Sequence, residues 1–139
     1  MKISVVFWSQ SGNTAAMADA VGQGITETGK EAEVIEVSSA SLDALKEEKA
    51  FALGCPAMGA EVLEESEMEP FVAEVESFAA GKTIALFGSY GWGDGEWMRS
   101  WESRCNDDGA NLACESVICN EAPDDDALAA CRELGASLA

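Results

Sequence analysis

The chain has 139 residues, 47% of them hydrophobic, and carries 8 Lys and Arg against 26 Asp and Glu, for a net charge of −18. The length suits one domain of about 100–150 residues, and the apolar share supports a packed core, so neither a disordered tail nor a stapled mini-protein is expected. The charge speaks against nucleic acid and anionic membrane surfaces as partners, because both are bound through Lys and Arg. With no His in the chain, His-dependent triads and the commonest metal ligand are also excluded.

Ile3–Trp8 is a short β-branched and aromatic run, the pattern of a buried strand. From Asn13 to about Thr28, Met17, Ala20, Val21, Gly24 and Ile25 recur at helical spacing, and Gly29 provides a stop. Glu33–Val37 reads as a second strand, Leu42–Glu48 as a short helix and Ala50–Leu53 as a third strand. A helix over Pro70–Ala79 places Phe71, Val75 and Phe78 on one face, with Pro70 suited to its first turn. Thr83–Phe87 follows as the fourth strand, Glu96–Asp107 as a helix and Leu112–Ile118 as the fifth strand. The last helix, Asp124–Leu138, opens with Asp124, Asp125 and Asp126, acids that complement its dipole. Strands alternating with helices predict an α/β fold: three α/β/α layers around a five-stranded parallel sheet, with no linker or repeat dividing residues 1–139.

The five cysteines, Cys55, Cys105, Cys114, Cys119 and Cys131, contain no C-x-x-C pair, so no zinc or iron–sulfur site is expected. Met1 and Lys2 run directly into a strand-like segment, and no apolar run approaches the ~20 residues that span a bilayer. The expectation is a cytoplasmic protein with reduced thiols.

Ligands of open parallel sheets bind outside the carboxyl ends of the strands, which directs attention to the loops there. Ser9-Gln10-Ser11-Gly12-Asn13-Thr14 offers hydroxyls, amides and the free N–H groups of a helix start, a cradle for phosphate without Lys or Arg. The same residue types also make an ordinary polar helix cap. After the third strand, Met58 is a soft side chain suited to a flat ring, the Met58–Gly59 peptide suits a turn that can change type, and Glu61 can accept from a ring N–H. A plain surface turn has the same composition. After the fourth strand, the Gly-rich Ser89–Gly95 leaves Tyr90 and Trp92 projecting, as a stacking platform or an interface anchor. Gly24–Lys30 fits the spacing of a nucleotide P-loop, but Glu31 replaces the required Ser or Thr and the segment ends a helix.

Taken in this order, WSQSGNT at Trp8–Thr14, LGCPAMG at Leu53–Gly59, EVLEESEMEPF at Glu61–Phe71, ALFGSYGWGDGEWM at Ala85–Met98 and NEAPD at Asn120–Asp124 closely resemble the flavodoxins, in particular the short-chain clostridial type. The resemblance covers the whole chain and implies strand order 2-1-3-4-5 and non-covalent FMN. It implies that Ser9, Gln10, Ser11, Gly12, Asn13 and Thr14 hold the phosphate. Met58 and Trp92 would lie on opposite faces of the isoalloxazine, and Ser89, Tyr90, Gly91 and Gly93 would support the ring through their backbone. Glu61 would meet its polar edge, and the Gly59 carbonyl would turn toward flavin N5 on one-electron reduction. Pro56, Ala57, Ala60, Asp94 and Glu121 complete the implied contact set. The chain departs from the family pattern at Gln10 and Ser11, where Gly and Thr are usual, and at Ala60, where Asp, Asn or Ser is common.

A flavodoxin of this kind implies a low-potential one-electron carrier rather than an enzyme. It would cycle mainly between neutral semiquinone and anionic hydroquinone, act in place of ferredoxin and work as a monomer. Its partners would be ferredoxin- or flavodoxin-dependent oxidoreductases with basic patches. A carboxylate ~10 Å from the reduced ring disfavours its negative charge by ~0.8–1.7 kcal/mol at an effective dielectric of ~20–40, and ~1.4 kcal/mol corresponds to ~60 mV for one electron. Three other readings share the architecture: a flavin-dependent quinone or nitro-group reductase, a response-regulator receiver and an FMN store. The first needs a substrate pocket and a nicotinamide site for which little chain remains. The second needs an Asp after the third strand and a Lys after the fifth, where Gly54-Cys55-Pro56 and Asn120-Glu121-Ala122 stand.

Overall fold

The computed structural model describes residues 2–58, 62–91 and 93–139. Six strands form one parallel sheet: β1 (Lys2–Phe7), β2 (Glu31–Glu36), β3 (Ala50–Gly54), β4 (Thr83–Tyr90), β5 (Asn111–Leu112) and β6 (Val117–Asn120). The helices are α1 (Asn13–Glu27), α2 (Leu42–Glu47), α3 (Met68–Val75), α4 (Glu96–Asp107) and α5 (Asp125–Ala136). The strand order is β2-β1-β3-β4-β5, with β6 also pairing with β4, so the predicted 2-1-3-4-5 order holds and a sixth strand is added.

The extra strand corrects the expectation of one continuous strand over Leu112–Ile118. Along β4 the register advances from Ile84 to Phe87, while its neighbour advances from Leu112 to Val117. Ala113–Ser116 are too many residues to stay paired over that distance, so the strand breaks and resumes. Pairing with β6 then carries β4 past its expected end at Phe87, out to Tyr90. Elsewhere β1 begins at Lys2 and ends at Phe7, and β2 begins at Glu31 because it pairs with β1 from Lys2 onward. A 3-10 turn over Val37–Ser39 follows β2.

Alternation along the strands sorts the core into two faces. Val6, Phe51, Leu53, Ile84 and Leu86 face α3 and α4, where Phe71, Val72, Trp97 and Trp101 fill the space. Val5, Phe7, Ala52, Ala85 and Phe87 face α1 and α5, with Met17, Val21, Cys131 and Leu134. On this second face α1 and α5 touch backbone to backbone: a Cβ on Gly24 would collide with the Arg132 carbonyl oxygen, and one on Gly135 with that of Val21.

Helix α3 spans Met68–Val75 rather than Pro70–Ala79. Its start is set by Glu64, whose carboxylate accepts from the N–H groups of Glu67 at 2.8 Å and Met68 at 3.0 Å. Pro70 falls two residues further into the first turn, where its missing N–H is still tolerated. At the other end the bonds tighten, Ser77 N–H to Glu74 O and Phe78 N–H to Val75 O, and the helix stops. Helix α5 opens as its composition suggests, with the Asp124 carboxylate accepting from Ala127 N–H at 2.8 Å.

Candidate cofactor site

The loop between β1 and α1 turns at Gly12, whose φ of 93° lies in the left-handed region that strains any residue with a Cβ. Gly12 offers no side chain to cap the helix. The Ser9 hydroxyl oxygen accepts from Gly12 N–H at 3.1 Å and Ala15 N–H at 3.3 Å, which leaves its proton free to donate. The N–H groups of Asn13 and Thr14 have no acceptor among the described residues. Gln10, which stands where a glycine is usual, is not among the residues with positive φ, so the special conformation falls at Gly12 instead.

Thr14 is 1% exposed, and its Oγ1 has no hydrogen-bond partner among the described residues. A buried hydroxyl left in that state costs ~1–3 kcal/mol. A polar ligand bound in the loop would satisfy it. Free helix-start N–H groups with the hydroxyls of Ser9, Ser11 and Thr14 form a donor set for a dianionic phosphate, and these residues fit the phosphate of FMN.

Beyond β3, Cys55 N–H donates to Phe87 O at 3.2 Å and Ala57 N–H to Ser89 O at 3.0 Å. Met58 and Val62 exchange N–H···O bonds of 2.9 and 3.0 Å, an isolated antiparallel bridge. Gly59, Ala60, Glu61 and Trp92, all named from the sequence, lie outside the described residues. Ser89 and Tyr90 belong to the end of β4, which corrects their expected place in a loop. Tyr90 does not project: it is half-buried, its ring packed on Trp97 with centroids 5.5 Å apart and planes at 52°. Its carbonyl accepts from Glu121 N–H at 2.7 Å and Asn120 Nδ2 at 3.3 Å. Glu121 takes φ 58°, alone among the described non-glycine residues, and strained backbone of this kind gathers at functional sites.

These segments meet around a cleft of about 400 Å³ at the carboxyl ends of the strands. Ser9, Gln10, Ser11, Asn13 and Thr14 form one wall, Pro56, Ala57 and Met58 a second, and Ser89, Tyr90, Gly91 and Glu121 a third. Gly12 shapes the first wall without lining it. Gly93 and Asp94 do not line the cleft either, and Asp94 pairs with Arg99 at 2.9 Å. Ala122 lines it unforeseen, since a lone Ala carries no chemical signal in a sequence. A larger groove of about 700 Å³ between β6 and α5 includes none of the predicted site residues. Among the described residues no cluster of His, Cys, Asp or Glu could hold a metal ion, and no helix is long and apolar enough to cross a membrane.

Two buried groups brace the second wall. Burial works against ionisation of Glu64, but hydrogen bonds from the Ser66 hydroxyl and from Met68, Glu67 and Ser66 N–H outweigh it and hold the pKa at about 2. Burial pushes the Cys55 thiol up to about 12, against a hydrogen bond from Glu64 N–H, so it is inert.

The flavodoxin family model matches residues 5–135. A flavodoxin of Clostridium beijerinckii is 47% identical over 137 residues, covering 99% of each chain. A flavodoxin of Megasphaera elsdenii is 39% identical over 137 residues, covering 99% of this chain and 98% of its own. The solution structure of the two-electron reduced Megasphaera elsdenii flavodoxin superposes with a TM-score of 0.89 at 40% identity, covering 99% of this chain and 98% of that one. Fold, donor-rich loop and likeness over the whole chain agree: this protein belongs to the flavodoxin family, electron carriers that bind FMN.

Proposed function

We propose that the protein is a low-potential carrier that cycles mainly between the neutral semiquinone and anionic hydroquinone of FMN, and that it stands in for ferredoxin as a monomer. The observation that carries this reading is the cleft itself, where a wall of unsatisfied donors faces a wall of braced backbone. Ser9–Thr14 hold the phosphate. Met58 and Trp92 would flank the ring, the Gly59 carbonyl would serve as acceptor at N5, and Glu61 would accept at the polar edge. The bound flavin supplies the electron chemistry, and the protein supplies position and field.

Charge placement supports the choice of partner. Lys2, Lys30, Lys49 and Lys82 stand at or just before the first residue of β1, β2, β3 and β4, and Lys46 lies in the last turn of α2, just ahead of β3. In a parallel sheet these positions share the end opposite the cleft. The cleft end, with Glu121, Asp124 and Asp126 nearby in sequence, is left to steer toward basic patches on oxidoreductases.

Stepwise anaerobic reduction of the FMN-loaded protein, followed by visible absorbance, tests the reading. A blue neutral one-electron species is expected before bleaching. Direct two-electron bleaching overturns it.

A further inference from the structure

We infer that Glu64 is a positioning residue for the flavin: its carboxylate locks the end of the segment that begins at Cys55 to the start of α3 and so, through the Met58–Val62 bridge, sets where Met58 stands in the cleft. The inference rests on the reading that Met58 lies against the ring.

A helix cap normally comes from a short side chain directly before the first turn. Here Glu67 holds the cap position and contributes no side-chain bond. Glu64, further back, supplies both oxygens instead: Oε1 accepts from Glu67 and Met68 N–H, and Oε2 accepts from Ser66 N–H at 2.9 Å and from the Ser66 hydroxyl. Glu64 is 7% exposed, and no cation pairs with it among the described residues. A buried carboxylate holding four N–H and O–H donors is more than a helix start requires, since an exposed Ser or Asp could begin it. The arrangement makes sense through what else it joins.

The Glu64 N–H donates to Cys55 Sγ at 3.4 Å, which ties the two ends of the segment to each other. Cys55 is fixed in turn, its carbonyl accepting from Trp97 Nε1 at 3.0 Å and its N–H donating to Phe87 O. Between these ends, the Met58–Val62 bridge closes the loop. The frame therefore links β4, α3 and α4, and Met58 keeps its place only while the Glu64 cluster holds.

Glu64→Gln tests this. One oxygen becomes an NH2 that faces a donor, so part of the cluster must open while the side chain keeps its shape. Amide exchange of the apo-protein should accelerate at least tenfold at Met58, Val62 and Glu64. FMN affinity should change less than threefold, because the phosphate donors lie on the β1–α1 loop. The first of the two one-electron potentials should fall, through poorer placement of the loop, with the second moving less. Ser41→Ala removes the distant cap of α2, where Ser41 Oγ accepts from Ala44 N–H at 3.2 Å, and should leave both potentials and the exchange at residues 55–64 unchanged. If Glu64→Gln does not fold, Ser66→Ala removes a single donor and should give the same signs more weakly. Unchanged exchange overturns the inference, as does a rise of the second potential with the first unmoved, which is the signature of lost negative charge alone. If the parent protein itself shows no one-electron species, the functional reading fails, and apo-protein exchange still decides whether Glu64 holds the frame.

Discussion

The loop after β1 and the segment after β3 face each other across the cleft and treat their polar groups in opposite ways. The first leaves donors open: among the described residues, Asn13 and Thr14 N–H find no acceptor and Thr14 Oγ1 is buried without a partner. In the second, the described residues pair within the protein, with Cys55, Met58, Val62 and Glu64 bonded to one another or to the neighbouring sheet and helices. An incomplete wall gains most when a ligand arrives, so it serves affinity. A frame already paired at Cys55, Met58, Val62 and Glu64 holds the ends of its segment fixed on binding, and preorganised surroundings are what a redox potential depends on.

The largest expected effect sharpens the second wall. The Glu64 pKa is depressed from 4.5 to about 2, so folding is stabilised above its unfolded value and the gain is lost as pH falls through the folded one. Acid titration of the apo-protein should show a loss of ~2–3 kcal/mol between about pH 4.5 and 2, and Glu64→Gln should flatten that segment of the curve. Next comes Thr14→Val, which breaks the first wall. A hydrogen bond to a charged group contributes ~1.5–3 kcal/mol, so FMN affinity by calorimetry should drop ~10- to 100-fold. The apo-protein should gain stability of ~1 kcal/mol by losing an unsatisfied hydroxyl. Opposite signs in the two measurements would identify Thr14 as a ligand group rather than a structural one. Gly12→Ala should cost ~1–2 kcal/mol in chemical denaturation, from strain at its left-handed φ, and weaken FMN through misplaced N–H groups.

The smallest effect calibrates these against a site remote from both walls. Arg104 bridges Glu69 at 2.8 Å and Glu76 at 3.0 Å between α3 and α4. Burial, together with the neighbouring Glu76, pushes Asp108 up to about 6. Its folded value exceeds the unfolded one, so stability falls as pH rises from about 4 to 6. Asp108→Asn should remove that slope and raise stability at pH 7 by no more than ~0.5 kcal/mol.

Much of the site was legible because its chemistry is local. Ser9–Thr14 announce a helix start rich in donors, and most of that loop lines the cleft. Tyr90 was misplaced because a strand's length depends on its partner, and β6 lies far along the chain. Glu64 gave no signal because its donors and Cys55 meet it only after folding, and in a chain of net charge −18 one more Glu reads as surface.

The sequence by itself determined the alternation of strands and helices, the strand order through family likeness, and most of the loop residues that line the cleft. Those features follow from periodicity and turn chemistry within a few residues. Tertiary structure alone decided the break between β5 and β6, the reach of β4 to Tyr90, the strained backbone at Glu121, and the closed frame that joins Cys55, Glu64 and Trp97. Each of these depends on groups distant in the chain meeting where water is excluded. Hydrogen bonding must be completed there by whatever the fold brings near.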